Sequence, residues 1–134
     1  MKRKLLALMA ILVLIATLVS CAPTEGSVWD TAVYTEDVTL GEGAKTVTVK
    51  VEAENKVVTL TVNTDSENLG DALFELELIN DASFFDTIIG MQLVWEKTHA
   101  YWALYVGDET APAAYGVQDA TISGGESFRI VYTK

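Results

Sequence analysis

The sequence predicts an α+β fold, a β-grasp-like mixed sheet with one helix packed on one face. Three observations predict it. Two valine-rich segments alternate strictly, the period changes once to helical spacing, and short alternating segments then return up to the end of the chain.

Thr46 to Ala53 places Val47, Val49 and Val51 on one face and Thr48, Lys50 and Glu52 on the other, which is the pattern of a half-buried strand. Glu54-Asn55-Lys56 turns the chain. Val58, Leu60 and Val62 then continue the apolar face, so the two segments predict a β-hairpin.

Leu69, Ala72, Leu73, Leu76 and Ile79 recur at helical spacing while Glu75 and Glu77 point away, predicting an amphipathic helix that Asn80-Asp81 closes. Asn68 can cap it by accepting a first-turn N–H, and Asp71 complements both that cap and the positive end of the dipole. A helix of roughly ten residues does not persist alone in water, so its leucine stripe must be packed, and the valine face is the available surface. Strands are expected from Phe84 to Ile89, with a turn near Gly90, from Met91 to Trp95, from Tyr101 to Val106, with a turn at Gly107-Asp108, and from Ser127 to Thr133. A right-handed crossover puts the strand after the helix parallel to its neighbour.

The beginning of the chain carries a different message. Lys2, Arg3 and Lys4 precede an apolar run, Leu5 to Val19, that is too short for a ~20-residue membrane span. It reads as an export signal. Leu18-Val19-Ser20-Cys21 resembles the lipobox of bacterial lipoproteins, which implies a diacylglycerol on the Cys21 thiol and cleavage just before it. The expected organisation is a signal peptide over 1–20, a lipid-anchored tether over 21–27, an irregular arm with at most one edge strand over 28–45, and the β-grasp domain over 46–134. The expected location is the extracytoplasmic face of the cell membrane, held by lipid. Cys21 is the single cysteine, so acylation leaves no thiol for a disulfide and the fold rests on core packing.

The leader holds three of the nine cations and none of the nineteen carboxylates, so the mature part carries −13 formal charges. Nucleic acid is excluded as an expected partner, because its phosphates need a basic patch and the remaining cations are scattered from Lys45 to Lys134. The acidity reads as solubility and repulsion from an anionic envelope.

Three motifs now look like one family. Asn68-Leu69-Gly70-Asp71-Ala72-Leu73, Tyr101-Trp102-Ala103-Leu104-Tyr105-Val106-Gly107, and the ending from Gly116-Val117 through Gly124-Gly125-Glu126 to Phe128-Arg129-Ile130-Val131-Tyr132 resemble the transcobalamin-like C-terminal domain family, domain of unknown function 4430. The resemblance implies a β-grasp fold related to soluble-ligand-binding domains whose animal relatives cover one side of cobalamin. It implies binding without catalysis, with cobalamin or another corrinoid as the expected ligand. Gly107-Asp108 and Gly124-Gly125-Glu126 depart from the family's Asn-Gly and Asp-Gly-Asp turns, yet each keeps a glycine for a positive backbone dihedral. Ala82 to Met91 matches poorly. In the animal relatives a helical domain closes the other side of cobalamin, and this chain has no residues left for such a wall.

Aromatic residues concentrate in the C-terminal half, and such side chains grip flat ligands because they offer large area with few rotors. The candidate ligand-binding residues are Trp95, Tyr101, Trp102 and Tyr115. Trp102 shares its strand face with Leu104 and Val106, which also makes it a core candidate. His99 is the only histidine; lying in a predicted loop, it reads as solvated rather than as a ligand to corrinoid cobalt. No catalytic constellation appears: there is no second histidine, nucleophile elbow or phosphate loop, and no metal site is expected. Two readings stand: a lipid-anchored binder of a small soluble ligand, and a module that docks an envelope protein or glycan on the same sheet edge by strand addition.

Overall fold

A computed structural model describes residues 26–134. The signal peptide and the lipidation site Cys21 lie outside the described residues, as does most of the 21–27 tether.

The architecture is a mixed five-stranded sheet with a small two-stranded sheet and short helices around it. Its hairpin pairs β2 (Lys45–Ala53) with β3 (Lys56–Thr64), with Val47 opposite Val62 and Val51 opposite Val58. Glu54 and Asn55 both take positive φ, 51° and 63°. Those dihedrals make a two-residue turn whose twist matches that of the strands. Val47, Val49, Val51, Val58, Leu60 and Val62 are all buried, as the alternation predicts.

The helix packed on this face is α1 (Leu69–Glu75), and its Leu69, Ala72 and Leu73 join the valines in one core. Burying each leucine contributes roughly 1.5–3 kcal/mol, which offsets the weak intrinsic stability of so short a helix. Asn68 caps it: its Oδ1 accepts from Asp71 N–H at 2.8 Å and its Nδ2 donates to the Asp71 carboxylate at 3.0 Å. The helix ends earlier than its periodicity suggests. Glu77 adopts a left-handed φ of 58°, and Leu78 and Ile79 are buried from an irregular segment rather than from a further helical turn. The Leu78 N–H donates to Leu73 O and its carbonyl accepts from Ile89 N–H, which satisfies the backbone without a helix.

The predicted strands Phe84–Ile89 and Met91–Trp95 shrink to β4 (Thr87–Ile88) and β5 (Met91–Gln92), paired across Ile89-Gly90. Phe84 to Asp86 is a loop, and Trp95 begins a short helix, α2 (Trp95–Thr98), closed by His99 in a left-handed conformation. The last two strands fall where the alternation puts them, β6 (Tyr101–Val106) and β7 (Ser127–Thr133). β7 runs parallel to β2 and antiparallel to β6, whereas the strand that directly follows the helix, β4, pairs antiparallel with β5 instead of lying parallel to a neighbour as the crossover reading expects. Gly107 does not open a tight hairpin. Residues 107–126 instead make a long excursion that buries Val117, Ala120 and Ile122 before β7 begins.

The 28–45 arm supplies a 3₁₀ turn at Val28–Thr31 and strand β1 (Val38–Gly41), parallel to β3 at one sheet edge. The final order is β1-β3-β2-β7-β6, which leaves β6 as the other edge. Trp29 is buried in the core, where its indole N–H donates to Ala53 O at 3.0 Å and Lys56 Nζ lies 5.1 Å from the ring centre. An indole can enter the core this way because its one polar atom has found a partner.

Candidate functional site

Along the free side of β6 lies a cavity of about 580 Å³, within the size range of small-molecule pockets. Its position follows from its lining. Successive strand residues point to opposite faces, yet Tyr101, Trp102, Ala103 and Leu104 all line the cavity, so it sits at the strand's edge rather than over either face. Ser83 to Asp86 forms another part of the wall, Leu93 to Glu96 a further one, and Pro112, Ala113 and Tyr115 to Val117 complete it.

Each wall has a local cause. The Asp81 carboxylate accepts from Ser83 N–H at 2.8 Å, Phe84 N–H at 3.1 Å and the Ser83 hydroxyl at 2.9 Å, which curls the chain where Phe84 and Phe85 reach the cavity. The backbone N–H bonds of Ser83 and then Phe84, followed by the Ser83 hydroxyl, hold the Asp81 carboxyl below its ordinary range. Asp86 Oδ1 accepts from Asn80 Nδ2 at 2.9 Å and from the Thr87 hydroxyl at 2.7 Å, tying the end of this loop to the segment after α1. Opposite, the 107–116 loop is fastened by a bond from Glu109 N–H to Val106 O at 3.1 Å and by two others. Ala113 N–H donates to Leu104 O at 2.8 Å, and Arg129 Nη2 donates to Glu109 O at 2.9 Å. Arg129 is itself positioned by Glu52, 3.2 Å away, and by the Tyr105 ring, whose centre lies 4.6 Å from its guanidinium carbon.

The structure brings the four candidate residues Trp95, Tyr101, Trp102 and Tyr115 to this one cavity, but in two roles. Trp95, Tyr101 and Tyr115 are 54%, 48% and 45% exposed, and the Trp95 and Tyr101 rings lie 6.2 Å apart. Trp102 is buried at 7%, donates its indole N–H to Met91 O at 3.2 Å and meets the Tyr132 ring edge-on at 6.2 Å, so it is mostly core and shows the cavity only a margin. His99 packs edge-on against Trp95 at 5.5 Å and is absent from the lining. Among the described residues no group of three or more His, Cys, Asp or Glu side chains gathers as metal ligands.

Sequence reasoning did not single out Phe84, 91% exposed at the cavity mouth, nor Leu93, Ala113 or Val117 in its wall. Phe84 had a visible signal, as one of the aromatics concentrated in the C-terminal half. Ala113 had none, since its part in the site is a backbone hydrogen bond.

No protein-family model matches the chain, and neither does any curated protein. Solved structures do. One is a protein from Ruminococcus gnavus ATCC 29149 described as a metal-binding candidate, with a TM-score of 0.60, 20% identity and coverage of 68% of this chain and 98% of that one. Another is haptocorrin in complex with Cbi, with a TM-score of 0.51 and 16% identity, covering 67% of this chain and 25% of that one. The chain thus spans about a quarter of haptocorrin's length, and at these identities the likeness is one of fold. The transcobalamin-like resemblance finds its support in that shared fold, and not in a family model.

Proposed function

We propose that this chain is a lipid-anchored envelope protein whose β-grasp domain binds a small soluble ligand with a flat face, cobalamin or another corrinoid, without catalysis, in the groove beside β6. The observation that carries this reading is the convergence of three half-exposed rings, Trp95, Tyr101 and Tyr115, on one cavity at a sheet edge. Exposed aromatics lose little rotamer freedom on binding and offer a flat face each. Haptocorrin's complex with Cbi, on a related fold, supports the choice of corrinoid. Lipid on Cys21 would hold the domain at the extracytoplasmic face of the membrane, where the ligand is met before any import.

The groove is open on one side, so burial of the ligand is partial and tight affinity calls for a second wall from a partner protein or a second copy. Docking of an envelope protein or glycan by strand addition is the competing reading. The closed end of the groove argues against it, because an added strand passing Leu104 meets residues 112–113, whose N–H already occupies the Leu104 carbonyl.

Calorimetric titration of the full chain in detergent with cobalamin is the test. Saturable heat that is lost in Trp95→Ala and Tyr101→Ala supports the reading, and no heat at high micromolar ligand overturns it.

A further inference from the structure

The free edge of β6 specifies more about the ligand than its shape. Gly107 N–H donates to Ser127 O, which fixes the ladder phase between β6 and β7. Tyr101, Ala103 and Tyr105 therefore exchange their backbone bonds with β7, while Trp102, Leu104 and Val106 turn theirs outward. Two outward carbonyls are taken, Leu104 O by Ala113 N–H and Val106 O by Glu109 N–H. The Trp102 N–H, the Trp102 carbonyl and the Leu104 N–H have no partner among the described residues, and both residues line the cavity. A donor and an acceptor of one residue thus stand side by side at the wall, with a second donor two residues on.

The remaining polar character of the wall is one-sided. Its only ionisable side chains besides the tyrosines are Asp86 and Glu96, and no Lys, Arg or His lines it. A ligand carboxylate entering here meets two like charges and no cation to pair with it.

We propose that the groove selects ligands carrying a carboxamide at the rim of a flat apolar body, the amide pairing with the Trp102 N–H and C=O, and that it rejects the corresponding carboxylates. A primary amide offers a donor and an acceptor in one plane, which is the complement of the Trp102 edge. An apolar ligand without that group covers the edge and leaves its backbone groups unpaired, so the same contacts yield weaker binding. The inference rests on the groove being the ligand site proposed above.

The test uses the full chain in detergent and three small probes of one shape: 2-naphthamide, 2-naphthoate and 2-methylnaphthalene, followed by NMR of the backbone amides and indole groups. The expected result is that 2-naphthamide binds at least about tenfold more tightly than either of the others, with downfield movement of the Trp102 and Leu104 amide protons and perturbation of the Trp95 indole. Equal binding of all three at the Trp95 side of the groove overturns the amide selectivity and leaves the aromatic groove standing as a ligand site. Tighter binding of the naphthoate, or amide binding without movement of Trp102 and Leu104, overturns it as well. Perturbation by none of the probes overturns both the selectivity and the groove.

Discussion

Ala113 N–H reaches across to the carbonyl of Leu104 at 2.8 Å, and with the bond from Glu109 N–H to Val106 O it joins the long 107–126 excursion to the edge of β6. Ala113 lies two residues before Tyr115, which lines the same cavity as Trp95 and Tyr101.

Ala113→Pro removes that donor while keeping a small apolar side chain. The buried Leu104 carbonyl then has no protein partner, at a cost of about 1–2 kcal/mol. Hydrogen exchange should quicken over residues 107–116 and ligand affinity should fall, with β6 and β7 still protected. Unchanged exchange in that loop would show that the bond does not hold it.

The two tryptophans flanking the groove should behave oppositely. Trp102→Phe removes a buried indole N–H that pairs with Met91 O and should lower stability by about 1–3 kcal/mol in denaturant unfolding. Trp95→Ala acts at a half-exposed ring, so stability should move by no more than about 0.5 kcal/mol while ligand affinity falls. A large stability loss in the Trp95 variant would recast it as a structural residue.

Gly70 is buried on the first turn of α1, and a methyl group there would strike the carbonyl of Ala82 and crowd the Gln118 N–H. Backbone on both sides cannot swing away as a side chain could. Gly70→Ala should therefore destabilise by about 1–3 kcal/mol despite alanine's better helix propensity, and should shift amide resonances along Ser83 to Asp86. A neutral or stabilised variant would mean that the helix is less tightly seated than described.

Asp81 sets an acid limit on the site. Its folded-state pKa lies below the ordinary value of 3.8, so its hydrogen bonds contribute stability in full above that value, and the contribution is lost as pH falls through the lower folded value. Glu54, held low by the Ser27 hydroxyl and the Val28 N–H, follows the same sign from 4.5. The amide signals of Ser83 and Phe84 should stay constant from neutrality to about pH 4 and move only below it. Movement centred above pH 4.5 would contradict the assignment of Asp81 as the turn's cap.

The sheet was legible because its strands carry a period of two with one buried face: Val47 to Val51, Val58 to Val62, and Phe128 with Ile130 could hardly be arranged otherwise. The end of the helix was not. Leu76, Leu78 and Ile79 preserve an apolar rhythm that helix and irregular chain can both bury, and the outcome turns on Glu77 entering the left-handed region. Phe84 and Phe85 suggested a strand, but the Asp81 carboxylate accepts from the Ser83 and Phe84 N–H groups and Asn80 Oδ1 from those of Asp86 and Thr87, which holds a loop instead. Helix α2 is too short for any periodicity to announce. At the site, the exposed aromatics were visible as composition, whereas their meeting depends on the 107–126 excursion folding back on β6, a backbone contact that no side-chain pattern encodes.

The most direct test of the account is a residue-resolved NMR titration of the full chain in detergent with cobalamin. The account predicts saturable shifts confined to Trp95, Tyr101, Tyr115 and the Trp102–Leu104 edge, with the outer β1 edge unmoved. Shifts centred elsewhere, or none at ligand concentrations up to the millimolar range, would contradict it.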